Sequence, residues 1–210
     1  MLKKLTQTQQ DTILERAVEE FGKNGPEKAA VSEIARRSGV SVGVIYKYYK
    51  NKEELFRHCL THSIDILTER MEGAVSGEET LLGACEKLIR SCVSFSKEHA
   101  PYIQMYHAIT HAQDGAAEYA DMIESVTAST YTKLVEIAQK EGEIRNDLDP
   151  ALCAMFFDNL LMMLHFSYGC AYYRERMKLY DKTLTEDELV RQLVLFLESA
   201  LGAAPGKEAS

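Results

Sequence analysis

A chain of 210 residues with 46% hydrophobic content can fill one large domain, or a small and a medium one, which excludes a sequence too polar to fold. Its formal net charge of −8 would exclude a nucleic-acid partner if the charge were evenly spread, but it is not. Residues 1–57 carry eleven Lys or Arg against eight Asp or Glu, and residues 58–210 carry thirteen against twenty-four, so a mildly basic head is joined to an acidic body.

The opening "MLKKLTQTQQ" has no apolar stretch behind its lysines, so no secretory signal is read and the cytoplasm is the expected compartment. Strand-type alternation is rare and apolar residues recur at helical spacing throughout, which predicts an all-α fold of about nine helices. Ile13, Leu14, Ala17, Val18 and Phe21 form the stripe of a first helix that stops at "GKNGPE". A short helix over about 31–38, a tight turn at Gly39, Val40 and Ser41, and a second short helix over about 42–48 follow. Asn51 with Glu54 three residues on predicts the cap of a long helix over about 52–75, and Ser76 with Glu79 repeats the pattern for a helix to about residue 99. A shorter helix carries Tyr102, Tyr106 and Ile109 and ends near "QDGA", and another spans about 117–141. Asp149 caps and Pro150 opens a long apolar helix, and Thr185 with Glu188 starts the last one. The expected division is a head over residues 1–51, a helical body over 52–202 and a disordered tail over 203–210. Because the boundary falls at the start of a continuous helix, head and body are expected to be mechanically coupled.

Residues 151–173, "ALCAMFFDNLLMMLHFSYGCAYY", are long enough to suggest a membrane span. Asp158, Asn159 and His165 interrupt them, and ionisable groups at bilayer depth are costly, so the segment reads as a helix buried in protein and no membrane partner is expected. The five cysteines form no C-x-x-C pair and read as small buried hydrophobes. His58 with His62, and His107 with His111, are i, i+4 pairs, but neither has a third ligand in view, so no metal site is assigned. No nucleophile with its base, no paired carboxylates and no phosphate-cradling loop can be identified, so neither an enzyme nor a cofactor is expected.

Between Glu33 and Glu53 no acidic residue intervenes, while Arg36, Arg37, Lys47, Lys50 and Lys52 all fall there. Two short helices joined by a tight turn behind a supporting helix describe a helix-turn-helix. Ile34, Ala35, Val40, Ile45 and Tyr49 form its inner side, which leaves Val42, Val44, Lys47 and Tyr48 on the side that would enter a major groove. Ser41 offers a hydroxyl to a phosphate, and Gly43, costly inside a helix, fits a place where a side chain would strike the DNA backbone.

The run "VSEIARRSGVSVGVIYKYYKNKEELF" resembles the DNA-binding signature of the TetR family of bacterial transcriptional regulators, over about residues 13–56. The resemblance implies a homodimer on a two-fold operator and a body pocket whose effector controls DNA affinity. By position it implies phosphate contacts from Tyr46, Tyr48 and Lys52, with Gly43 against the backbone and Val44 and Lys47 near base edges. Two positions depart from the family pattern. Ala29 and Ala30 stand where a Thr often caps the first short helix, so that cap is expected from Ser32 after a shifted start, and Val42 replaces a residue that is often polar. With Val42 and Val44 both apolar, readout is expected to lean on thymine methyl groups, with Lys47 reading a guanine edge.

In the body, Tyr102, Met105, Tyr106, His107, Met162, Met163 and Phe166 are the candidate effector contacts, which favours an apolar or aromatic ligand. Asp158 reads either as a carboxylate paired across the dimer bundle or facing its rim, or as a ligand anchor. Leu189, Leu193 and Phe196 are the candidate dimer contacts. The expected activity is a repressor released by a small effector; the alternative is a DNA-binding protein whose body takes a protein partner.

Overall fold

The computed structural model describes residues 5–77, 80–110 and 116–202. Ten helices are assigned among them: α1 (Gln7–Lys28), α2 (Val31–Arg37), α3 (Val42–Tyr48), α4 (Lys52–Val75), α5 (Leu81–Glu98), α6 (Ala100–Ile109), α7 (Ala116–Glu141), α8 (Pro150–Gly169), α9 (Ala171–Tyr180) and α10 (Glu186–Leu201). The fold is all-α, as expected. The expected disordered tail at 203–210 lies outside the described residues.

Three helix starts follow the capping residues named from sequence. Asn51 accepts the Glu54 N–H at 2.8 Å, Asp149 accepts the Leu152 N–H at 2.9 Å and Thr185 accepts that of Glu188 at 3.3 Å. Two starts differ. Ser76 ends α4 instead of starting α5, whose cap is Thr80, and the Glu143 carboxylate from beyond α7 accepts the N–H groups of Leu81 at 2.8 Å and Leu82 at 3.2 Å. A carboxylate at two free N–H groups also suits the positive end of the helix dipole. Ser32 does not cap α2, which starts at Val31 after Ala30, a residue with no side chain to cap it. Instead Glu20 of α1 accepts the Ala30 N–H at 3.1 Å and binds the Asn24 amide at 2.8 Å, which explains a buried glutamate in an apolar head.

The additional helix arises because the long apolar segment breaks at Cys170, whose backbone is extended (φ −116°, ψ 135°). A Cβ on Gly169 would lie 2.5 Å from the Ile103 side chain, so α6 and α8 meet here with no room for one. The carbonyls freed by the break are taken up by side chains: Gln104 donates to Gly169 at 3.0 Å and Arg174 to Tyr168 at 2.9 Å. The α9 helix that follows buries no residue.

Two cores organise the molecule. In the head, Ile13, Val18 and Phe21 of α1 pack on Ile34, Ile45, Leu55 and Phe56, and this cluster runs on into Met105 and Ile109 of α6. In the body, α5, α7, α8 and α10 share a core built on Leu88, Ile89, Tyr131, Phe157, Leu161 and Val190. Head and body are joined along α1 and α6 as well as through α4. At Gly22 a Cβ would stand 2.7 Å from the Pro101 carbonyl oxygen, so glycine sets how closely α1 approaches α6. By length and composition α8 could cross a membrane, but its Cys153, Ala154, Phe157, Leu161 and Leu164 are buried in the body core.

Candidate DNA-reading head and body cavity

Helices α2 and α3 are joined by a turn that Gly39 makes possible at φ 68°, and the Val40 N–H closes it on the Ala35 carbonyl at 3.0 Å. Ile45 is fully buried and Tyr49 nearly so, which fixes the inner side of α3. Its other side presents Ser41, Gly43, Tyr46 and Lys47 exposed and Val42, Val44 and Tyr48 half-buried. Ser41 caps α3 by accepting the Val44 N–H at 3.3 Å.

Gly43 and Tyr48 of α3, with Lys52 at the start of α4, carry information that the sequence did not. The nearest atom to a Cβ built on Gly43 is Ser41 Oγ at 3.9 Å, so nothing inside this chain requires glycine there. Tyr48 and Lys52 hold bonds within the head: the Tyr48 hydroxyl accepts the Leu5 N–H at 2.7 Å, and Lys52 Nζ donates to the Glu27 carbonyl at 2.5 Å and that of Ala29 at 3.3 Å. The basic run is also partly neutralised. Arg36 pairs with Glu33 at 2.5 Å and Arg37 pairs with Glu19, whereas Lys47 has no acidic partner among the described residues.

A cavity opens in the body between α4, α5, α6, α7 and α8. The void extends over about 1020 Å³ out to its mouth, and about 120 Å³ of it admits the centre of a water molecule. Of the seven candidate effector residues, Tyr102, Met105, Tyr106 and Met162 line it. His107, Met163 and Phe166 do not: α8 turns Met163 and Phe166 toward α6 and α9, and His107 of α6 meets the same cluster. Phe166 is buried with Ile103 and Cys170, Met163 packs on that cluster, and His107 stands edge-on to Phe166 at 5.0 Å and to Tyr173 at 5.5 Å.

Sequence reasoning missed several wall residues: Arg70, Glu124, Tyr131 and His165. Asp158 lines the cavity as well, which favours the ligand-anchor reading over the dimer rim. The signal available was the seven-residue spacing of Asp158 and His165, two helical turns that set both on one face of α8. The Tyr106 hydroxyl donates to Glu124 Oε1 at 2.5 Å. Asp158 receives no hydrogen bond among the described residues, and burial together with Glu124 raises its carboxyl to about 6. Ser96 Oγ donates to the Cys92 carbonyl at 2.7 Å, so its oxygen is left to accept His165 Nδ1–H, also at 2.7 Å. Burial lowers His165 to about 4, so at neutral pH the ring is uncharged and Nε2 remains an acceptor. Arg70 pairs with Glu98 at 2.6 Å and lies over the Phe95 ring.

All five cysteines are buried, and burial pushes the Cys85 thiol up to about 12. No group of three His, Cys, Asp or Glu side chains among the described residues is placed to share an ion. His111, the partner proposed for His107, lies outside the described residues.

The sequence model of the family described as "Bacterial regulatory proteins, tetR family" matches residues 13–59, which contain α2, the turn and α3. Residues 13–59 are the DNA-binding region of the TetR family, and the chain is a DNA-binding transcriptional regulator. The fatty acid metabolism regulator protein of Bacillus subtilis (strain 168) is 38% identical over 76 residues, a match that spans 36% of this chain and 38% of that protein's length. Among solved structures, FadR of Bacillus subtilis in complex with stearoyl-CoA superposes with a TM-score of 0.74 at 19% identity, over 90% of this chain and 97% of that one. AibR in complex with isovaleryl coenzyme A and operator DNA gives a TM-score of 0.68 at 18% identity, again over 90% of this chain and 97% of the other. At these identities the two structures share the fold with this chain.

Proposed function

We propose that the protein is a cytoplasmic repressor that holds a two-fold operator as a homodimer and leaves it when a small, largely apolar effector enters the body cavity. The observation that carries this reading is the position of the cavity. Its walls include α4, whose first residue Lys52 is tied to the end of α1, and α6, against which α1 packs at Gly22. Anything that spreads α4 from α6 therefore moves the head. An effector releases DNA only by favouring the head spacing that does not fit the operator, and a preference of about 1–3 kcal/mol makes a useful switch.

In this reading the head, residues 1–51, contacts phosphates through Ser41, Tyr46 and Tyr48, joined by Lys52 at the start of α4, lays Gly43 against the backbone, and sets Val42, Val44 and Lys47 at base edges. Tyr48 and Lys52 serve mainly to brace α3 and α4, because both already hold bonds within the head. The body, residues 52–202, supplies the dimer contacts. Phe196 is 60% exposed beside Leu195, and α8 leaves Leu152, Met155 and Phe156 uncovered. Leu189 and Leu193 pack on their own core and so contribute to the interface only at its edge.

An open cavity with polar groups on its wall favours a small effector over a protein partner for the body. The complexes of FadR and AibR make an acyl-CoA one effector to test. The test is selection of genomic fragments by the purified protein, followed by fluorescence anisotropy across a salt series. The reading requires a palindromic site, a salt slope that reports several phosphate contacts, and loss of that site in Lys47→Ala and Gly43→Glu. Weak, sequence-indifferent binding that both variants leave unchanged would remove it.

A further inference from the structure

The cavity holds a charge that its own walls do not balance. Glu124 of α7 and Asp158 of α8 both line it, and the two carboxylates repel each other. Glu124 takes the Tyr106 hydroxyl at 2.5 Å, while Asp158 has no donor among the described residues. The cation on this wall, Arg70, is already paired with Glu98 at 2.6 Å. His165 is neutral and adds a further acceptor, because its Nδ1–H is taken by Ser96. A carboxylate drawn out of water without a partner is costly, and an Asn or Leu would fill the same position without that cost. Phe95, Tyr102, Tyr106 and Tyr131 bring aromatic rings to the same space, and the faces of such rings attract cations.

We infer that the cavity takes an amphipathic organic cation, a protonated amine on an apolar body, with Asp158 as its counter-ion and Glu124 and His165 Nε2 as further acceptors. The inference rests on the effector reading above and narrows it. It sets this chain apart from FadR and AibR, whose coenzyme A ligands carry anionic phosphates. The titratable groups that line the cavity with Asp158 include Glu124, Tyr102, Tyr106, Tyr131, His165 and the paired Arg70, so among the described residues no free cation on these walls competes for it.

The experiment is isothermal titration of the full-length protein with n-octylammonium, n-octanol, n-octanoate and octanoyl-CoA, run beside release of a selected operator fragment. Asp158→Asn keeps the shape of the site and removes its charge. Asp65→Asn, on the exposed side of α4, removes the same charge from the surface and controls for general attraction to an acidic protein. The expected result is that octylammonium binds at least about tenfold more tightly than octanol and releases the operator. That preference vanishes in Asp158→Asn and persists in Asp65→Asn. It also weakens as pH falls through about 6, where the empty carboxylate takes up a proton. Equal or tighter binding of octanol, octanoate or octanoyl-CoA overturns the inference, and so does an Asp158→Asn variant that binds the ammonium like wild type. Release of the operator by a deproteinised cell extract, with no binding of the ammonium, overturns the cation and leaves the effector reading standing. Failure of the extract and of all four compounds to release the operator overturns both.

Discussion

Replacing Gly43 by Ala should make the protein more stable and a worse DNA binder. Gly43 lies inside α3 with ordinary helical geometry, and a Cβ there meets nothing closer than Ser41 Oγ at 3.9 Å. The fold therefore bears the entropic cost of a helical glycine, about 0.5–1 kcal/mol relative to alanine, without a packing reason. Removing it should raise the unfolding free energy by that amount and the melting temperature by about 2 °C, given the usual scaling for domains of this size. On DNA the same methyl group should keep the phosphate backbone from resting on α3 and weaken the selected operator by about tenfold, roughly 1.4 kcal/mol. Urea denaturation gives the first quantity and anisotropy the second. A variant of lower stability would mean that the space around Gly43 has been misread, and a stabilised variant with unchanged operator affinity would mean that α3 does not approach DNA through this face.

Gly22→Ala should act in the opposite sense. Its Cβ meets the Pro101 carbonyl oxygen at 2.7 Å, so α1 must lift from α6 and stability should fall by about 1–3 kcal/mol in a denaturant melt, with operator affinity shifted as well. Phe196→Glu places a charge in the exposed apolar strip of α10 and should give a monomer in sedimentation; an intact dimer would move the interface elsewhere. Asp158 and His165 should oppose each other in acid. The His165 ring, lowered to about 4 in the fold, loses stability as pH falls from about 6.5 toward 4, because the unfolded chain takes up the proton first. The Asp158 carboxyl, raised to about 6, takes up its proton first in the folded state and so gains stability as pH falls from about 6 toward 4. Asp158→Asn removes the gain and should steepen acid destabilisation by about 1–2 kcal/mol, allowing for the part of the carboxylate that water reaches. Parallel melts of wild type and Asp158→Asn at matched pH would show no difference in slope if that carboxyl titrates as an ordinary one.

Much of this molecule was legible before any tertiary contact was known. Helical spacing of apolar residues, the Asn51, Asp149 and Thr185 caps and the Gly39 turn are local features, decided within a few residues, and they placed most of the ten helices. The helix-turn-helix was legible for the same reason: one face of α3 is fixed by Ile45 and Tyr49 and the other follows from it. What sequence could not supply were matters of distance along the chain. Glu20 caps α2 from ten residues away and Glu143 caps α5 from about sixty, so neither start could be read from its own segment. The break at Cys170 depends on Ile103 pressing on Gly169, and the pairing of Arg37 with Glu19 removes a charge that a local count assigns to DNA. The cavity is the extreme case. Its walls come from five helices, and whether Met162 or Met163 faces it turns on the rotation of α8 against its neighbours, a choice that packing makes and that composition does not contain.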